Sequence, residues 1–216
     1  MKRAFDVVVA AVALVALAPV WLAAAVAIRL SSKGPVFYRA TRAGVSGVPF
    51  TMFKFRTMRV GSDASSRITA SVDDRIFPAG RWLRRLKIDE LPQLLNVVRG
   101  EMSIVGPRPE DASIVEHHYT PWMMETLAVR PGMTSPGALH GTMLGDEQIG
   151  SDDPEGDYLR HVLPLKLALE LVYVRKASLR LDLQVIVRTV LLVMGRSRSS
   201  HDGELAKARE FLDRLS

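Results

Sequence analysis

The chain has no cysteine among its 216 residues. That excludes a disulfide scaffold, a thiolate zinc site and a cysteine nucleophile. Aromatic residues make up only 6%. Trp82 is the one aromatic residue within the basic cluster from Arg81 to Lys87, so a base-stacking platform for nucleic acid is not indicated there. There is no P-loop, no G-x-G-x-x-G and no serine nucleophile elbow. The five histidines form no zinc motif, and His117-His118 reads as an ordinary polar helix face. Repeats and low-complexity tracts are also lacking. With 48% hydrophobic and 24% charged residues, the composition is not that of a disordered chain.

What is present is unevenly distributed. The formal net charge is +6. Residues 29–99 hold 14 basic and 5 acidic side chains, and residues 101–170 hold 4 basic and 12 acidic ones. A basic block directly after an apolar segment suits anionic headgroups or phosphates. A solvated face and nucleic acid are the competing readings of such a block.

Val7 to Ile28 is a run of 22 residues without a charge. As one helix it would extend roughly 33 Å, about the thickness of a bilayer's hydrocarbon core. A cleaved signal peptide would have a shorter apolar core, about 7–15 residues. A simple span has its ends on opposite faces. Here Lys2 and Arg3 precede the run and Arg29, Lys33, Arg39 and Arg42 follow it, a pattern that suits neither orientation. Pro19 lies inside the run, where it breaks or kinks a helix. A re-entrant helix–break–helix that enters and leaves by one face accounts for both features. A proline-kinked span is the alternative.

Beyond the run, residues 36–41 and 49–55 read as a β-hairpin whose loop needs positive φ at Gly44 and Gly47. Residues 61–74 read as a loop, residues 80–87 as a short basic helix, and residues 89–99 as one helix with Pro92 in its first turn. Residues 102–105 suit a short buried strand. Residues 111–128 are helical with an interruption at Pro121, and residues 130–154 read as a long loop. Residues 158–175, 179–194 and 201–215 are helical. The second of these is either a packed core helix or one lying in a membrane interface.

Asp89-Glu90 is the leading chemical candidate. The pair follows Arg81, Arg84, Arg85 and Lys87 at an expected helix start. Acidic residues in a first turn are commonly plain dipole complements. Yet a carboxylate kept ionised by flanking cations can attack phosphorus, and a neighbouring carboxylate can hold Mg²⁺. Gly106-Pro107-Arg108-Pro109 restrains an arginine on both sides, either as a rigid turn or as a phosphate clamp. Alternation along the second strand places Lys54 and Arg56 on one face, as phosphate contacts or a solvated edge.

Residues 88–94 (Ile-Asp-Glu-Leu-Pro-Gln-Leu), Asn96-Val97 and residues 100–109 (Gly-Glu-Met-Ser-Ile-Val-Gly-Pro-Arg-Pro) closely resemble the bacterial sugar transferase family, the monotopic phosphoglycosyl transferases. The likeness extends to residues 34–37, 54–58, 130–134 and 173–190, in the family's order. Three departures stand out. Ala18-Pro19 replaces the family's frequent Ser-Pro, Leu86-Lys87-Ile88 precedes the dyad where Thr-Ser-Leu is common, and residues 135–142 differ from the usual continuation. In that last stretch Thr142 stands where an arginine is frequent, with His140 nearby.

The resemblance implies an α+β, mainly α-helical fold: a re-entrant membrane hairpin over residues 1–32 broken at Pro19, a small β-hairpin, and a cytoplasmic helical catalytic domain over residues 33–216 with interfacial helices. It implies transfer of a sugar 1-phosphate from a nucleoside diphosphate sugar, commonly a UDP-sugar, to polyprenyl (undecaprenyl) phosphate, giving a polyprenyl-diphospho-sugar and UMP. Asp89 would be the nucleophile of a ping-pong scheme and Glu90 the Mg²⁺ ligand. Arg84, Arg108, Lys54 and Arg56 would hold substrate phosphates. The expected place is the cytoplasmic face of the bacterial inner membrane, among inner-leaflet lipids and without nucleic acid, with a second copy of the chain as a candidate partner. A catalytically inactive relative that serves membrane assembly is the alternative function.

Overall fold

The computed structural model describes residues 1–61, 74–139, 153–194 and 202–214. It is mainly helical with two small two-stranded sheets. Helices α1 (Lys2–Ala16) and α2 (Ala18–Ser31) meet at Leu17 and are bent by 61°. Pro19 is in the first turn of α2, where its missing donor costs least. Among the described residues no single helix is long and apolar enough to cross a membrane.

Strands β1 (Phe37–Ala43) and β2 (Pro49–Phe55) pair antiparallel from Phe37 opposite Phe55 to Ala43 opposite Pro49. Their loop tightens through a 3₁₀ turn at Val45–Gly47. Gly47 has positive φ as expected, but Gly44 does not, and Ser46 takes the left-handed conformation instead. Gly44 is constrained by space, since a Cβ there would lie 2.9 Å from the Val48 carbonyl.

Helix α3 (Pro78–Arg85) precedes a 3₁₀ turn at Ile88–Glu90, and α4 (Gln93–Arg99) follows. The single helix expected over residues 89–99 is thus two pieces. Lys87 adopts φ 56° and turns the chain sharply before the acidic pair, and Pro92 caps α4 instead of lying within it. Strand β3 (Ser103–Val105) comes next, then α5 (Ala112–His118), α6 (Pro121–Met124) and a 3₁₀ turn at Glu125–Ala128.

The long loop expected from residue 130 also needs correction. Gly132–Thr134 is a strand, β4, parallel to β3. This pairing depends on two glycines in close approach: a Cβ on Gly132 would collide with the Gly106 backbone, and one on Gly106 with the Arg130 carbonyl. Most of the expected loop at residues 61–74, and residues 140–152 with His140 and Thr142, lie outside the described residues.

A short α7 (Pro154–Asp157) and a π-type turn (Tyr158–Val162) lead into α8 (Leu163–Lys176), α9 (Leu179–Val193) and α10 (Asp202–Asp213).

The main core joins α1, β2, α4, β3, α8 and α9 through Ala10, Met52, Leu94, Val97, Val105, Tyr173 and Val185. Asn96 ties α4 to the edge of β2. It accepts from Phe53 N at 3.0 Å and donates to Thr51 O and Glu101 Oε2, each at 2.7 Å. Both ends of the bent pair are held to this body. Lys2 pairs with buried Asp182 at 2.6 Å, and Arg3 donates to the Val97 and Val98 carbonyls at the end of α4. Asp6 accepts from Ser103 Oγ and Ile104 N. At the far end, Ser32 receives Arg56.

Candidate active site

The Ile88–Glu90 turn brings the two carboxylates up between β2 and the Gly106–Pro109 turn. Glu90 meets the cations expected of a phosphate site: its Oε1 is 2.6 Å from Arg108 Nη2 and 3.6 Å from Lys54 Nζ. Burial opposes its ionisation, but Arg108 and Lys54 outweigh that and hold the Glu90 carboxyl well below the usual carboxylate range. Burial also pulls the Lys54 ammonium down to about 8, against the attraction of Glu90.

Asp89 behaves differently. Only 8% exposed, it has one carboxylate oxygen, Oδ1, buried without a hydrogen-bond partner. Burial and the adjacent Glu90 charge push its pKa up. Lys54, Arg84 and Lys87 act in the opposite direction without cancelling the rise. The flanking cations therefore do what the sequence suggested, but burial outweighs them. A basic, partner-poor carboxylate is a competent nucleophile once ionised.

Two hard oxygen donor groups side by side, one with an orphaned oxygen, fit Mg²⁺, which binds through one or two carboxylates and takes its remaining ligands from phosphates and water. Among the described residues there is no group of three or more side chains able to cage a metal without substrate.

Arg84 lies beside the pair and donates Nε to Thr57 Oγ1 at 2.8 Å. Arg56, the other expected phosphate ligand, also lines the basic cavity with Asp89, but its guanidinium is engaged by protein acceptors. It lies one residue past β2, is 5% exposed, and donates to Pro35 O, Ser32 Oγ, Ser32 O and Met58 O. The strand ends before alternation can aim it at substrate, and the side chain instead fastens the end of α2 to the hairpin.

Two cavities meet at this centre. One, of about 1200 Å³, is lined by Asp89, Glu90, Arg84 and Lys87 with further arginines from the β1–β2 hairpin. The other, of about 720 Å³, runs from Glu90 and Arg108 to β4 and α9. Lys54, Arg42, Glu90 and Arg108 line both.

Two buried carboxylates support Arg108. Glu110 binds Lys166 at 2.7 Å and accepts from Tyr158 at 2.5 Å. Burial opposes its ionisation, but Lys166 and these hydrogen bonds hold its pKa down to about 2. Glu170, fully buried on α8, accepts from Arg108 N at 3.2 Å and Ser135 Oγ at 2.5 Å. Its Oε2 has no partner, and burial pushes its pKa up to about 7.

Sequence reading found Asp89, Glu90, Lys54, Arg84 and Arg108. It missed Arg42, Glu110, Lys166 and Glu170. An acid directly after Pro109 was the one available signal, for Glu110. A lone Lys or Glu inside an apolar helix gives no indication of its partner.

The family model for bacterial sugar transferases matches residues 1–196, so the chain belongs to that family. Among its relatives is the UDP-glucose:undecaprenyl-phosphate glucose-1-phosphate transferase of Caulobacter vibrioides, 40% identical over 193 residues, or 88% of this chain and 68% of the relative. The enzyme of the same name from Xanthomonas campestris pv. campestris is 40% identical over 203 residues, covering 90% of this chain but 39% of the relative. An exopolysaccharide production protein of Rhizobium leguminosarum bv. phaseoli is 36% identical over 205 residues, 92% of this chain and 97% of the relative. The chain thus spans less than half of the Xanthomonas protein and nearly all of the Rhizobium one.

Proposed function

We propose that this protein transfers a sugar 1-phosphate from a UDP-sugar to undecaprenyl phosphate by a ping-pong route through Asp89. The observation that carries the reading is the buried, unpartnered Asp89 Oδ1 on the wall of a strongly basic cavity. The names of the Caulobacter and Xanthomonas relatives support the substrate pair.

In the first step Asp89 attacks the phosphorus that bears the sugar. The bond to the bridging oxygen breaks, and UMP leaves with the electron pair. Lys54, Arg84 and Arg108 hold the phosphate oxygens and offset the charge that develops on them. In the second step an oxygen of the lipid phosphate attacks the same phosphorus, and the Asp89 carboxylate departs unchanged. Glu90, beside Asp89, would hold Mg²⁺, which would supply charge neutralisation at the leaving group. Arg108 and Lys54, which pair with Glu90 in this structure, then turn toward phosphate.

The bent α1–α2 pair is a re-entrant membrane segment in this reading, placing the enzyme on the cytoplasmic face of the inner membrane. A span separates its two ends by the bilayer. Here Lys2, Arg3 and Ser32 all bond to the same folded body. Val8, Val12, Val15 and Leu22 are exposed along the pair, and Leu183 and Val187 along α9, as expected of surfaces that face lipid. The assembled Asp89–Glu90–Arg108 cluster favours an enzyme over an inactive assembly relative.

Intact-protein mass spectrometry tests the reading. Incubation with a UDP-sugar is expected to add one sugar phosphate at Asp89 and release UMP. Asp89→Asn should do neither, with no loss of thermal stability, because the variant removes a charge whose burial is unfavourable. Substantial lipid-product formation by Asp89→Asn would refute the nucleophile.

A further inference from the structure

The two cavities that meet at Glu90 differ in chemistry. The larger holds Asp89 and a dense set of arginines. The smaller is apolar along most of its length, walled by Leu91 and Leu94 on one side, by Met133 and Leu139 on another, and by Ile186 and Val190 of α9. Its volume, about 720 Å³, lies in the range of small-molecule sites. On its remaining wall Glu110, Lys166 and Tyr158 satisfy one another, and Gln93, Asp111, Thr134 and Thr189 add further polar groups.

The two ends of this cavity are unlike. Val190 lines it and is also 52% exposed, so the mouth opens onto the outer face of α9, where Leu183, Val187 and Leu191 are exposed as well. The inner end is cationic. Arg42 lies there, on the wall shared with the basic cavity. Its Nε is buried without a partner, and its Nη1 comes only within 3.8 Å of Glu110 and of Asp111. A buried guanidinium donor without an acceptor is costly unless a ligand supplies one.

We infer that the smaller cavity is the acceptor-lipid site. The lipid phosphate sits on Arg42 beside Glu90 and Arg108. The isoprenoid chain runs between β4 and α9 and leaves past Val190 along the apolar face of that helix. The inference rests on the function proposed above and adds to it where the second substrate binds. A nucleoside diphosphate matches the arginine-rich cavity and an isoprenoid matches the apolar one, so the substrates approach Asp89 from different sides and neither chain nor nucleotide must enter the other's pocket.

Two measurements on the full chain in detergent or nanodiscs test this. The first uses Val190→Trp, a substitution at a half-exposed position that the fold can accept, and Arg42→Gln. Each is expected to raise the KM for undecaprenyl phosphate by about tenfold or more, and Val190→Trp, which lines the smaller cavity and not the larger, is expected to leave the KM for the UDP-sugar within about twofold. Unchanged melting temperatures separate this from misfolding. The second is photolabelling with a diazirine-bearing polyprenyl phosphate, which reports binding without turnover. Label is expected in peptides spanning residues 133–139 and 186–193, displaced by undecaprenyl phosphate and not by UDP-sugar. Label confined to α1–α2 or to the basic cavity, no label at all, or an unchanged lipid KM in both variants would overturn the site. If the unmodified protein releases no UMP from any UDP-sugar in the presence of lipid phosphate, the function fails instead. The labelling pattern then still decides whether the cavity binds lipid.

Discussion

Glu170 offers a direct measurement of what it costs to build this site. Its carboxyl is fully buried on α8, bonded through one oxygen to Arg108 N and Ser135 Oγ, while the other oxygen has no partner. Burial raises its pKa from 4.5 to about 7. At about 1.4 kcal/mol per unit, that corresponds to roughly 3 kcal/mol. The folded state therefore binds a proton that the unfolded state has released between pH 4.5 and 7. The stability associated with the protonated form is complete below about pH 4.5 and is lost as pH rises through about 7. Gln keeps the accepting oxygen and cannot ionise, so Glu170→Gln should abolish this part of the slope. The check is chemical denaturation of detergent-solubilised protein at pH 5 and pH 8, with wild type and variant compared at each. The variant's relative stability should improve by about 2–3 kcal/mol between the two, because part of the loss has already occurred at pH 5. Taking the difference cancels Asp89, whose own raised pKa acts in the same direction. Glu110 titrates well below this window, since Lys166 and Tyr158 hold it near 2. A wild-type-minus-variant difference that does not change with pH would refute the reasoning, because it would mean that Glu170 is already ionised in the folded protein at pH 5 and its pKa is not raised by burial.

Two further outcomes follow from the packing. Asn96→Ala removes three hydrogen bonds, two between α4 and β2 and one to Glu101, and leaves Phe53 N and Thr51 O without their partner, so it should destabilise by about 3 kcal/mol, read as a lower denaturation midpoint. Gly132→Ala drives a methyl group into the Gly106 backbone. It should cost about 1–3 kcal/mol and lower kcat more than that loss of stability explains, because Gly106 begins the turn that carries Arg108.

The sequence by itself determined the parts encoded over short distances. Pro19 inside an apolar run set the break between α1 and α2. The glycine-bearing stretch between two β-rich segments set the hairpin. The run from Asp89 to Pro109 marked the dyad and the restrained arginine. Tertiary structure decided the rest, since the forces concerned act between residues far apart in the chain. The β3–β4 pairing joins segments too short and too rich in glycine to announce a strand, and only the contact of Gly106 with Gly132 makes it one. Pro92, at the N-terminus of α4, marks the split of a helix that periodicity joined over residues 89–99. Arg56 and Arg108 look equivalent as basic residues near a site, yet one is spent on the Ser32 and Pro35 carbonyls and the other meets Glu90. Which charges are buried, and against what, raises Asp89 and Glu170 and lowers Glu90. Desolvation and Coulomb pairing depend on positions in space, and no local pattern of residues records them.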